Sequence, residues 1–154
     1  MNLECNWKEL EAHSTLLMES YKRCTGRPIL NFDATKNTSA EALFNEPFVL
    51  LSHGTESDPI LNYGNRKALE LWEMDWSTFT STPSRLTAEP LVRNLREKLL
   101  EESRLQGFSE GYSGIRISRS GRRFEIRNAL IWSLIDSNGN YQGQAAIFSE
   151  WGPA

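Results

Sequence analysis

The chain has 154 residues, 39% of them hydrophobic and 24% charged, with a net charge of −3 and a pI near 5.5. A single domain of this size buries enough surface to hold together without staples, and its acidic balance argues against non-specific binding to nucleic acid or to an anionic membrane. No apolar run approaches the ~20 residues of a membrane span, Met1 to Leu10 lacks the apolar core of a secretory signal, and Cys5 and Cys24 read as free thiols in a reducing cytoplasm rather than as a disulfide framework.

Asn6 followed by Glu9 matches a capping box, so a helix is predicted from Trp7. Trp7, Leu10, Ser14, Leu17 and Tyr21 recur at helical spacing, flanked by Ala12 and Met18. They mark a face that must be buried on something. Gly26 and Pro28 stop this helix. Residues 31–45 read as a loop and a short helix capped by Thr38 or Ser39, ending before Pro47. The apolar run from Pro47 to His53 predicts a buried strand, and Ile60 to Tyr63 a second one across a polar turn. Asn65 to Glu73 turns helical. Asp75 caps a further short helix holding Trp76 and Phe79, which Thr82-Pro83 breaks. Glu89-Pro90 opens a longer helix, with Leu91, Leu95 and Leu99 at four-residue steps and Gly107 at its end. From Phe108 to Trp151, the turn signals Ser120-Gly121 and Asn138-Gly139 divide three β-rich runs into an antiparallel meander. The order ββαααβββ behind a leading helix predicts an α+β fold, an antiparallel sheet with helices gathered on one side. Residues 1–45 form a helix and linker, and residues 46–154 the body.

Ile60 to Trp72 resembles the second strand and first helix of a PAS domain, and Gly121 to Phe124 and Ile135 to Asn140 resemble its late hairpin turns. More closely, the chain is similar to the MEKHLA family. The matching stretches are Pro47 to His53, Leu61 to Trp72, Pro83 to Pro90, Gly111 to Ser118 and Gly121 to Phe124, together covering roughly residues 45–151. The resemblance implies a PAS-like five-stranded sheet with helices over one face and a flanking N-terminal helix. It implies a module of the stand-alone bacterial type that senses a small molecule or redox state, or mediates regulated interaction. The family also occurs at the C-terminus of plant class III homeodomain–leucine zipper factors, a role that does not transfer to a chain with no DNA-binding module. The resemblance brings no catalytic residues.

A two-residue type I′ turn at Asn138-Gly139 fixes the register: Ser137 pairs with Asn140, Ser133 with Gln144, Ile131 with Ala146 and Ala129 with Phe148. The opposite face then carries Leu130, Trp132, Leu134 and Ile147. Both faces are apolar, so the sheet needs two covers. The helices of residues 64–106 supply one. The stripe of Trp7, Leu10, Leu17 and Tyr21 supplies the other, packing on its own sheet or a partner's, and these residues with Leu130, Trp132, Leu134 and Ile147 form the candidate interaction face. By resemblance to PAS domains, the helix-covered face holds the pocket. Its candidates are Ala129, Ile131, Ser133, Gln144 and Phe148, roofed by Trp72, Trp76 or Phe79. A bulge would flip parity before Asn128, so the sides of Arg127 and Asn128 stay open, with one of them expected inward.

The aromatic set including Trp72, Trp76, Phe79 and Trp132 suits either a planar ligand or plain core. Arg85, Arg116 and Arg127 suit an anionic ligand. Arg116, Arg119, Arg122, Arg123 and Arg127 also make a basic hairpin, read as solvated edge charge in preference to a nucleic-acid face. No metal is expected: His13 and His53 are the only histidines, and neither has a ligand-spaced neighbour. The helix from Glu89 to Gln106 lacks a haem-ligating histidine, and residues 64–106 lack the cysteine of covalent flavin photochemistry. No cofactor is therefore assigned. Gly111-Tyr112-Ser113-Gly114 has the wrong spacing for a nucleophile elbow, which leaves His53 or Glu110 as candidates only if the chain is a small isomerase or hydrolase. The reading preferred is a non-enzymatic cytoplasmic sensor that binds a small molecule and signals to a protein partner or a second copy through its N-terminal helix. A constitutive interaction domain with a filled core is the alternative.

Overall fold

In the computed structural model, which describes residues 7–29, 39–87, 97, 101 and 107–154, the leading amphipathic stretch is helix α1 (Trp7–Thr25). Gly26, at φ 74°, closes it through its N–H to the Lys22 carbonyl. A second helix, α2 (Ser39–Phe44), precedes strands β1 (Val49–His53) and β2 (Leu61–Gly64). Helices α3 (Arg66–Trp72) and α4 (Trp76–Phe79) follow, capped by the Asn65 and Asp75 side chains, then a 3-10 turn at Ser84–Thr87. The helix expected from Glu89 to Gln106 lies outside the described residues, apart from the helical, exposed Glu97 and Glu101. The Asn6 cap and Cys5 lie outside them too. Strands β3 (Phe108–Ile117), β4 (Arg123–Ile135) and β5 (Tyr141–Phe148) form the meander. The sheet runs β2-β1-β5-β4-β3, antiparallel at each pairing. A short strand that sequence reasoning missed, β6 (Glu150–Pro153), pairs with the first half of β4.

Both meander turns use one device, and at Asn138-Gly139 it replaces the expected two-residue loop. Ser118 N–H donates to Arg122 O and Gly121 N–H to Ser118 O; Asp136 N–H donates to Asn140 O and Gly139 N–H to Asp136 O. Gly121 and Gly139 hold the left-handed conformation, at φ 92° and 82°. These are three-residue loops, each a turn closed by a left-handed glycine. At the second, the Asp136 carboxylate accepts the N–H groups of Asn138 and Asn140, both at 2.9 Å. That side-chain turn selects the longer loop. Ile135 consequently pairs with Tyr141, one residue out of the expected register. The ladder shifts back between Leu134 and Ile135, so Leu134 meets Gly143, and Ser133–Gln144 and Ile131–Ala146 pair as expected.

Asn128 adopts φ 53°, and the faces of β4 exchange there. Phe124 and Ile126 before it, and Ala129 and Ile131 after it, all join one core. The facing strand exchanges with it: Phe148 and Trp151, three apart, share that core, their rings 5.9 Å apart. The expectation that Arg127 or Asn128 points inward is corrected. Both are exposed, Arg127 bonded to Glu125 and Asn128 to Glu150, each at 2.8 Å. A left-handed residue in the strand turns two successive side chains outward.

The basic hairpin is divided among separate tasks. Arg119 N–H and the Arg122 guanidinium donate to the Trp72 and Leu71 carbonyls, so the hairpin tip satisfies the last carbonyls of α3. Glu73, left-handed at φ 61°, accepts from Ser120 N–H.

Asn65 ties the sheet to α3. It is fully buried, and its side chain accepts from Leu50 N–H and Ala68 N–H, both at 3.1 Å, while donating to Phe48 O at 2.8 Å. Asn65→Ala strands two buried backbone N–H groups and a part-buried carbonyl. We expect a loss of about 2–3 kcal/mol in urea unfolding, with Asn65→Asp recovering part of it because its carboxylate keeps both acceptor contacts. Equal stability of Asn65→Ala and wild type would remove Asn65 as a fastener.

Candidate functional site

The two sides of the sheet carry two cores. The inner one gathers Val49, Leu51, Leu61, Trp72, Phe79 and Tyr112 with the inward residues of β4 and β5. It leaves a cup of about 40 Å³, room for about three or four water-sized groups. Of the expected pocket residues, Trp72, Ala129, Ile131, Gln144 and Phe148 line it. Phe79 stands behind Trp72, its ring 6.2 Å away. Ser133 is buried directly across the ladder from Gln144 but does not line the cup. Trp76 is on the opposite side of the sheet, against Tyr63 at 5.8 Å and Phe44 at 6.5 Å: the one-turn helix α4 sends Phe79 inward and Trp76 outward. Arg85 sits on the rim, paired with Asp58 at 3.1 Å. Arg127 lies outside, for the reason given above.

Sequence reasoning did not place His53 or Tyr112 in the cup; Arg116, named there only as a candidate for an anionic ligand, lines it as well. The register shifts in β3 between Ser109 and Gly114 decide which of its residues face in; Gly111, at φ 74°, marks the first of them, and a glycine inside a strand is the signal that could have found it. His53, Ser84 and Gln144 also border an open cleft of about 370 Å³, flanked by Asp58, Arg85, Glu97 and Glu101.

The outer core is roofed by α1. Leu17, Leu130, Trp132 and Leu134 are buried there, with Tyr21 and Ile147 packed against them. Tyr21 meets Trp132 edge-on at 5.1 Å. Trp7 contacts Phe44 of α2 at 5.4 Å, and Leu10 is half-buried. The candidate interaction residues on the sheet are therefore engaged by the chain's own helix. Ser20 Oγ donates to Ile135 O and accepts from Ile135 N–H, and the Arg23 guanidinium reaches the same carbonyl. Tyr63 Oη, Trp132 Nε1 and Ser14 Oγ are buried beneath this helix without a hydrogen-bond partner among the described residues. The Cys24 thiol donates to Gly107 O at 3.6 Å, and burial pushes its pKa up, opposing the reactive thiolate.

His13 extends from α1 to the sheet. Its Nε2 lies 2.9 Å from Ser52 Oγ, which donates to Asn62 Oδ1 at 2.6 Å. Burial lowers its pKa from 6.5 to about 4. The folded-state value lies below that of the unfolded chain, so the unfolded chain takes the proton first. This contribution is complete above about pH 6.5 and is lost as pH falls through about 4. We expect urea unfolding to show a loss of about 2–3 kcal/mol over that window, abolished in His13→Gln. An equal loss in His13→Gln would assign the effect elsewhere.

An antiparallel sheet in this order, with α3, α4 and the 3-10 turn over an inner cup and α1 behind, has the PAS-like sensory-domain fold. Solved structures agree. A PAS domain from Colwellia psychrerythraea matches with a TM-score of 0.62 and 13% identity over 70% of this chain and 89% of its own. A PAS domain from a two-component sensor histidine kinase matches at 0.56 and 17% identity over 70% and 87%. The blue-light photoreceptor Vivid in its photo-excited form matches at 0.59 and 11% identity over 87% and 94%. At these identities the likeness is one of fold. No curated protein sequence matches the chain. The chain belongs to the MEKHLA domain family, whose model matches residues 11–153. Among the described residues, no helix is long and apolar enough to cross a membrane.

Proposed function

We propose that this chain is a non-enzymatic sensory module whose inner cup takes a small molecule and whose helix α1 passes the state of the cup to a protein partner or a second copy. The observation that carries this reading is that the strands bordering the cup also carry the contacts to α1. On β1, Leu51, Ser52 and His53 all border the cup, and the Ser52 hydroxyl also contacts His13 of α1. On β4, Ile131 lines the cup while its neighbour Trp132 meets Tyr21. A change in strand spacing on one side is felt on the other, because close-packed interiors transmit displacement.

The chemistry present limits the cofactor. Residues 64–106 contain no cysteine to form a flavin adduct, and a cup of about 40 Å³ falls far short of the roughly 300 Å³ and upward of ligand pockets for drug-sized molecules. A flavin ring does not fit the cup. The same small volume favours a second reading, a constitutive interaction domain with a filled core. Native mass spectrometry of protein purified from its own host separates the two. A co-purifying small molecule supports the sensor. Bare polypeptide, together with no thermal shift across a metabolite panel, supports the interaction domain.

A further inference from the structure

Arg116 is 5% exposed. Among the described residues, it is the one buried side chain with a permanent charge. Its guanidinium stacks over the Tyr112 ring at 5.2 Å and donates one N–H to the neighbouring Ile115 carbonyl at 3.1 Å. Among the described residues, no acidic side chain pairs with it. A guanidinium carries five N–H donors in a planar fork, so most of its donor capacity is unspent, in surroundings where an unpaired charge is costly. It lines the inner cup. So does Trp72, 1% exposed, whose indole Nε1–H is buried without a partner. A buried cation and a buried unused donor thus border one small space.

We infer that the inner cup is a site for the carboxylate of a small monocarboxylic acid, held by Arg116 with Trp72 Nε1–H as a further donor. This deepens the sensory reading above and rests on it. Size and charge select the class. The cup, at about 40 Å³, holds about as many heavy atoms as acetate has. A planar carboxylate matches the guanidinium fork with two parallel bonds. A phosphate dianion brings more charge than one guanidinium neutralises in a low-dielectric space. The cleft beyond carries Asp58, Glu97 and Glu101 against Arg85, and Arg85 is already paired with Asp58. Size then decides among monocarboxylates: with room for about as many heavy atoms as acetate has, the cup favours the shortest.

The test uses the full chain and measures thermal shift and calorimetric binding with acetate, 4-aminobutyrate, succinate, inorganic phosphate and acetamide. Acetate is expected to bind and stabilise; 4-aminobutyrate and succinate, too long for a cup of about 40 Å³, and phosphate and acetamide are expected to do so weakly or not at all. Arg116→Met is expected to weaken acetate binding by about 10- to 100-fold, the range for hydrogen bonds to a charged group, and not to lower the stability of the ligand-free protein, since it removes an unpaired buried charge. A purely structural arginine would give the opposite pair of results. Should Arg116→Met not fold, the Arg116 side-chain N–H resonances of the wild type, assigned through Arg116→Lys, provide the readout: acetate moves them and acetamide does not. Acetamide binding as well as acetate, phosphate binding better, or no probe moving the Arg116 signal would each overturn the inference. An uncharged molecule co-purifying in native mass spectrometry would overturn it while leaving the sensory reading intact.

Discussion

Gly143→Ala is expected to prevent stable folding. Gly143 holds φ 125°, a conformation that side-chain-bearing residues rarely adopt. A Cβ built there lies 2.0 Å from the His53 carbonyl oxygen, 3.1 Å from its carbon and 3.2 Å from Gly54 Cα. All three are backbone atoms at the end of β1, where His53 pairs with Gln144, so relieving the clash means parting β1 from β5 beside the cup. The expected loss exceeds about 4 kcal/mol, the range reserved for severe, mechanistically specific lesions. It would be read as loss of a cooperative urea transition or of soluble protein. Gly139→Ala is the control. It too has positive φ, at 82°, but its Cβ meets nothing within 4 Å, so it pays only the left-handed penalty of about 1–2 kcal/mol. If the two variants unfold at the same urea concentration, the close approach at Gly143 does not govern stability.

Trp132→Ala removes the largest side chain of the outer core. Trp132 is fully buried and meets Tyr21 edge-on, so the cavity left lies directly beneath α1. Truncations of this kind cost about 3–5 kcal/mol. Beyond the loss in urea unfolding, trypsin is expected to cut at Lys22 and Arg23 much faster, because α1 loses its seat. Trp132→Phe keeps the aromatic contact and gives up an N–H that has no partner. Its expected cost is about 1 kcal/mol, with little change in proteolysis. Fast cleavage in both variants, or in neither, would mean that Trp132 does not seat the helix.

Much of the fold was legible because local chemistry and packing agree. Asn65 and Asp75 announce their helices and cap them. The apolar stripe of α1 and the doubly apolar strands predict the helix behind the sheet, and Tyr21 on Trp132 bears this out. The meander register was right past Leu134 for a reason the sequence does not display. Asp136 lengthens the turn by one residue, and the shift beside Gly143 takes it back. The exchange of faces at Asn128 was foreseeable as a bulge, but its copy in the facing strand, and β6 with it, depends on pairing between distant residues. The same limit governs the cup. Arg85, Arg116 and Arg127 look alike along the chain. Strand irregularities bury Arg116 and leave Arg127 outside, while Arg85 finds Asp58 across a loop. Trp76 looked like a roof residue because helical spacing says which residues share a face, and not which side of the sheet that face meets.

The groups stranded beneath α1 bear on how firmly the chain is latched shut. Apolar contact holds the helix down, yet Tyr63 Oη, Trp132 Nε1 and Ser14 Oγ each give up water there without recompense, at about 1–3 kcal/mol apiece. Lifting the helix would rehydrate all three at once and let His13 titrate normally. The latch therefore carries its own opposing spring, and the free energy separating closed from open is smaller than the apolar area it covers would suggest.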